Sequence, residues 1–311
     1  MTIPAEIFAN CFQAAFDAES RISDFTEVEQ FRALMRAFGS LNPSFYVEEF
    51  HGFKRQIYFN TAHTWLRPQA RCELCDVLIV AYSMIGGTAA RMTLLQAKLS
   101  RNTHLTGTST HSSKVEPQVF KGNYEQWHLL SGRPSLIPTT VFSPPADLLS
   151  GALLPSVGTF GVFHGKKGGR IDMFYATADS LTPASMPAGP DERIGKLATV
   201  PGTPNRRIIA SRSEATYCPS SHDFAKALYL LQVGTPIYEA HPGTSPQRHE
   251  PQLSWVRSVL ASHLAASDKN TGVARALLNE LGDSEPLPEG TGVPSVVVLR
   301  TDQPIERLVD Q

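Results

Sequence analysis

The residues best suited to chemistry in this chain are Asp76, Gln96 and Lys98. Asp76 opens the apolar run 76–82 (DVLIVAY), and the other two close 92–98 (MTLLQAK). Side chains alternate along a strand, so Gln96 and Lys98 share a face and Ala97 takes the other. Ile85-Gly86-Gly87-Thr88 reads as the hairpin turn joining the two runs. A turn centred between the two glycines sets Asp76 opposite about position 97, so a one-residue adjustment at the turn or a bulge gathers all three side chains. A carboxylate, an amide oxygen and an ammonium in one patch suit phosphodiester hydrolysis. The oxygens can hold Mg²⁺ or Mn²⁺, and the lysine can orient water or stabilise charge. An ammonium ending a strand this apolar needs an anion or water beside it.

Five elements must position that patch. The stretch 4–20 puts Phe8, Phe12 and Phe16 at i, i+4 and i+8 behind Pro4, which predicts an amphipathic helix. A second helix follows in 26–41, with Thr26 and Glu29 at capping-box spacing and Gly39 at its C-terminal end; its apolar stripe is Val28, Phe31, Leu34, Met35 and Phe38. At about 100° per residue, Glu27 falls on the side of Phe31, Leu34 and Phe38, and Glu29 on the opposite side. Short β-rich runs at 45–50 and 56–61 precede the hairpin, and 123–134 predicts a short helix ended by Gly132 and Pro134.

In order and spacing, these strands and helices resemble the PD-(D/E)XK nuclease superfamily, the restriction-endonuclease-like fold, over roughly residues 24 to 145. The resemblance implies an α/β fold of the α+β kind with a mixed sheet: helix, three antiparallel strands, helix, strand, flanked by further helices. It implies Asp76 and Gln96 as ligands of Mg²⁺ or Mn²⁺, Lys98 as the residue orienting the attacking water, and Glu27 as the acid of the first helix. Gln96 stands where the commonest pattern has an acid and brings less charge to a metal, so further carboxylates gain weight; Glu73 and Glu49 are the reserves. Gln126 resembles a helix glutamine of some nuclease branches, although Leu130 replaces the tyrosine that follows it there.

Further along, strands are expected at 136–142, 159–163, 170–177 and 293–300, and helices at 222–234, 254–267 and 271–282. The expected organisation is a nuclease-like core over 1–182, a Pro/Gly-rich loop or linker over 183–213, and a mainly helical C-terminal region over 214–311. The Ser/Thr-rich stretch 100–114 reads as a long loop.

Composition narrows the classes. Twenty-eight Lys+Arg against 29 Asp+Glu exclude a polycation held to nucleic acid by bulk charge. The total is unevenly divided: residues 1–50 hold eight acids and three bases, whereas 77–115, 148–171 and 193–213 are basic and acid-free, as a groove for a phosphate backbone requires. No apolar run reaches the ~18 residues of a membrane span, and no basic, apolar leader opens the chain, so a soluble, cytoplasmic protein with reduced thiols is expected. GxxxxGK[ST], GxGxxG, GxSxG and HExxH are all missing. Cys72-x-x-Cys75 with Cys218 and His222 offers a different class, a zinc-stabilised interaction protein. The function expected first is a metal-dependent nuclease acting on DNA, in defence against foreign DNA or in repair, as a homodimer or with a partner protein. A catalytically inactive nucleic-acid or protein binding module of the same fold is the alternative.

Overall fold

The structure, a computed structural model, describes residues 4–41, 45–48, 55–101, 118–166, 169–267, 271–282 and 284–302. In chain order its elements are α1 (Pro4–Glu19), α2 (Glu27–Ser40), β1 (Phe45–Glu48), β2 (Gln56–Asn60), β3 (Gln69–Glu73), β4 (Val77–Ser83), β5 (Thr88–Ser100), β6 (Val119–Asn123), α3 (Tyr124–Gly132) and β7 (Leu136–Ile137). There follow β8 (Gly158–Gly165), β9 (Ile171–Thr177), β10 (Leu181–Pro183), β11 (Ile194–Thr199), β12 (Arg206–Ile209), β13 (Arg212–Ala215), β14 (Tyr217–Cys218) and α4 (Ser221–Tyr229). Last come β15 (Thr235–Ala240), β16 (Gln247–Arg248), α5 (Gln252–Ala266), α6 (Gly272–Leu281) and β17 (Ser295–Arg300).

This is a mixed α/β fold around one nine-stranded sheet in the order β1-β17-β4-β5-β8-β9-β14, with β15 and β16 branching from β5. β4 and β5 form the expected hairpin, and its turn uses Gly86 and Gly87 at φ +71° and +121°, where a side chain would be strained. β8 runs parallel to the second half of β5, while β15 pairs antiparallel with the first half. Because β4 is covered on both faces it reads as an unbroken apolar run. Val77, Ile79 and Ala81 pack with α1, α2 and α4, and Leu78, Val80 and Tyr82 pack on the opposite side with α5 and α6. Phe8, Phe12 and Phe16 of α1 are buried as expected, with Phe12 4.9 Å from the Phe38 ring and Phe16 6.0 Å from that of Phe163.

Several expectations need correcting. Residues 183–213 are no linker, since they contain β11, β12 and part of β13. The region 214–311 does carry three helices, but it also gives β14, β15 and β17 to the main sheet, and β17 lies between β1 and β4, parallel to β4. Its Val296, Val297 and Val298 are buried on both faces, which suits an interior strand. The run 136–142 shrinks to Leu136–Ile137 ahead of a proline that has no donor for a ladder. In α2, Val28 is 57% exposed instead of completing the apolar stripe, and the helix runs past Gly39 to Ser40. Glu49 and nearly all of 100–114 lie outside the described residues. No helix among the described residues is long and apolar enough to cross a membrane.

Candidate active site

The β4–β5 register decides which side chains meet. Val77 pairs with Leu95 and Ser83 with Ala89, so the turn is centred on Gly86, half a residue short of the midpoint between the glycines, which shifts the pairing by one residue. Continued one step, this ladder puts Asp76 opposite Gln96, on the face that Gln96 and Lys98 share. The Asp76 N–H donates to the Leu95 carbonyl at 3.0 Å, and the Ala97 N–H donates to Asp76 Oδ2 at 2.6 Å. The carboxylate is thus fixed at the strand end by the backbone it pairs with.

Lys98 is 8% exposed and sits where α2 begins. Its Nζ donates to Glu27 Oε1 at 3.1 Å and to the Ala97 carbonyl at 2.7 Å, which answers the need for an anion. Glu27 reaches this position because Thr26 starts the helix, with its Oγ1 accepting the Glu29 N–H at 3.2 Å. Glu29 itself turns away and pairs with Arg32. The Glu27 side chain is 46% exposed, so it leans along the sheet end rather than into the core.

Glu73, at the end of β3, joins the group. The Gln96 amide donates to its carbonyl at 3.3 Å, and burial together with the neighbouring Asp76 charge pushes its carboxyl up to about 7, against the pull of Arg55 and Lys98. Arg55 was not visible as a site residue in the sequence. Its Nε pairs with Glu73 Oε1 at 3.2 Å and its Nη1 donates to the Asp76 carbonyl at 3.1 Å. Only the β2–β3 register, with Gln56 opposite Glu73, brings it there. Gln126 is buried on α3, whose N-terminus is capped by Asn123, and it makes no hydrogen bond to Asp76, Gln96 or Lys98 among the described residues.

Gln96 is fully buried, and its Oε1 accepts no hydrogen bond among the described residues. That orphaned carbonyl oxygen and the Glu73 and Asp76 carboxylates, which repel each other, are oxygens of the kind a hard divalent cation takes. Among the described residues no three His, Cys, Asp or Glu side chains converge to hold a metal by themselves, so the set depends on the amide oxygen. The Cys₃His arrangement is not assembled: Cys72 and Cys75 are buried in the core on one face of the sheet and Cys218 in the core on the other, while His222 pairs with Glu6. Burial raises all three thiols, as it does for cysteines that serve as apolar packing.

The basic, acid-free stretches are in part spent internally. Arg91 donates to the Ser213 and Gly234 carbonyls, Lys166 pairs with Asp172, Arg207 with Asp179 and Glu214, and Arg212 with Glu239. Arg170, Arg193, Lys196 and Arg206 remain exposed. Comparison of the chain with protein-family models, with curated proteins and with solved structures returns no match.

Proposed function

We propose that this protein is a metal-dependent nuclease that hydrolyses phosphodiester bonds of DNA, with a core of the restriction-endonuclease-like kind. The observation that carries the reading is the meeting of Glu27, Glu73, Asp76, Gln96 and Lys98 at one end of the β4–β5 pair, from segments up to 71 residues apart. Asp76, Gln96 Oε1 and Glu73, with Glu27 beside them, are the residues that would hold Mg²⁺ or Mn²⁺. When bound, the ion supplies Lewis-acid charge to the phosphate. Lys98, freed from or shared with Glu27, orients the water whose oxygen forms the new P–O bond as the bond to the leaving sugar oxygen breaks. Arg55 neutralises Glu73 and steadies the Asp76 peptide.

One observation favours the alternative of an inactive binding module. Lys98 is already committed to Glu27, Asp76 Oδ2 to the Ala97 N–H, and position 96 carries no charge. Both readings meet one experiment: plasmid incubated with the protein and Mg²⁺ or Mn²⁺, alongside Asp76→Ala and Lys98→Ala. The nuclease reading expects cleavage lost in both variants. Cleavage that survives both places the chemistry elsewhere, and metal-independent binding without cleavage favours the inactive module.

A further inference from the structure

The outer face of the β2–β3 hairpin forms a surface that runs directly into the site. The register sets Gln56 opposite Glu73, Tyr58 opposite Arg71 and Asn60 opposite Gln69. Strand alternation turns these six side chains outward, while Ile57, Phe59, Ala70 and Cys72 are buried beneath them. The row therefore starts at Glu73 and continues away from it to Gln69, four steps along β3, about 13 Å at roughly 3.3 Å each.

The composition of this row is unusual for a solvent face. The Arg71 guanidinium stands over the Tyr58 ring, 5.2 Å from its centroid, which gives a flat, positively charged plane backed by the aromatic one. Gln56, Asn60 and Gln69 supply amide donors and acceptors. Beyond Asn60 the connecting segment carries exposed His63, whose ring lies on that of Trp65 at 5.0 Å, and Trp65 in turn lies on Trp127 at 6.2 Å. From Arg55 to Cys72 there is no Asp or Glu. Arg55 and Arg67 are neutralised by Glu73 and Glu125, so among the described residues of this face Arg71 is the cation open to a ligand.

We propose that this face is a track for a single strand of nucleic acid, along which unpaired bases stack as the backbone is led to the site. Aromatic and guanidinium planes can stack only on base faces that are open, and a duplex hides them. The amides fit base edges, and Arg71 fits the phosphates. The proposal deepens the nuclease reading, on which it rests for the destination of the strand, by naming the substrate as single-stranded or locally unpaired.

The test measures binding of a fluorescein-labelled oligothymidylate by anisotropy in EDTA, where cleavage plays no part. Tyr58→Ala and Arg71→Ala are each expected to weaken binding by about tenfold or more, and Tyr58→Phe to retain it. Arg71→Ala should also flatten the dependence of log affinity on log salt by about 0.7. A duplex of equal length should bind the wild type at least about tenfold more weakly than the single strand, and be indifferent to Tyr58→Ala. The proposal is overturned if both alanine variants bind the oligonucleotide within about twofold of the wild type, or if the duplex binds as tightly as the single strand. Both variants change outward-facing side chains, and unchanged melting temperatures establish that they fold. A protein that binds through Tyr58 and Arg71 yet never cleaves sinks the nuclease reading alone. Asp76-dependent cleavage with binding indifferent to both residues sinks the track alone.

Discussion

The carboxyl of Glu73 gives the site a pH signature that can be read in stability without any assay of activity. Burial and the Asp76 charge raise it from its usual 4.5 to about 7, although Arg55 and Lys98 act in the opposite sense. A raised carboxyl means that between those two values the folded protein holds a proton the unfolded chain has released. Stability from this group is therefore greatest below pH 4.5, falls as pH rises through the window, and stays at its lower level above about 7. At roughly 1.4 kcal/mol per pH unit the window corresponds to about 3 kcal/mol. With 32% of the side chain in water, screening reduces this to about 1–2 kcal/mol.

Glu73→Gln removes the charge and keeps the shape. In urea unfolding it should match the wild type to within a few tenths of a kcal/mol at about pH 4.5, and exceed it by about 1–2 kcal/mol at about pH 8. Taking the difference between the two proteins cancels the titrations that are not coupled to Glu73. Mg²⁺ at about pH 8 should then stabilise the wild type more than the variant, because a cation placed between Glu73 and Asp76 relieves the repulsion that the substitution has already removed. A gap between variant and wild type that is the same at both pH values would refute the argument, since it would mean that Glu73 is not strained by burial and by Asp76.

Two further outcomes follow from neighbouring groups. Glu125 is 0% exposed and held by both Arg67 nitrogens at 2.7 Å, so Arg67→Ala should cost about 3–5 kcal/mol in denaturant unfolding, with a large part restored by adding Glu125→Gln. Gln96→Glu adds a fourth carboxylate to the site, at a fully buried position; it should lower the melting temperature in EDTA and tighten Mn²⁺ binding, measured by paramagnetic resonance, by about tenfold. If Mn²⁺ binds the two proteins equally, position 96 does not face the metal.

How much of this was legible in the sequence depends on the range of the interactions involved. The hairpin, the shared face of Gln96 and Lys98, and the Phe8-Phe12-Phe16 stripe follow from local period and turn chemistry. Glu27 was separated from Glu29 by the helical wheel, even though the structure has it leaning along the sheet end instead of facing the core. The turn register was one residue off because two adjacent glycines allow either centre. Nothing local marks Arg55, which precedes an ordinary strand and gains its role from Glu73, 18 positions later. The place of β17 beside β4 rests on a parallel pairing between strands more than 200 residues apart, which no periodicity records. The basic stretches were legible only in part: a sequence shows the cation but not its partner, and Asp172, Asp179, Glu214 and Glu239 neutralise three of them, Lys166, Arg207 and Arg212.

The charge balance at the site gives a physical reason for a neutral glutamine rather than an acid at position 96. Glu27, Glu73 and Asp76 face Lys98 and Arg55, which is three acids against two bases when all are ionised. Lys98 answers Glu27, Arg55 answers Glu73, and Asp76 is left with the Ala97 N–H and the repulsion that lifts Glu73. One unit of negative charge in a half-buried group is tolerable without a metal, and the raised Glu73 can shed even that by taking a proton. A fourth carboxylate at the fully buried position 96 would leave two units, and burying an unpaired charge costs several kcal/mol. A neutral carbonyl there keeps an oxygen available to a cation while letting the chain fold without one. Glu73, at the end of β3, brings to the site the carboxylate that position 96 does not.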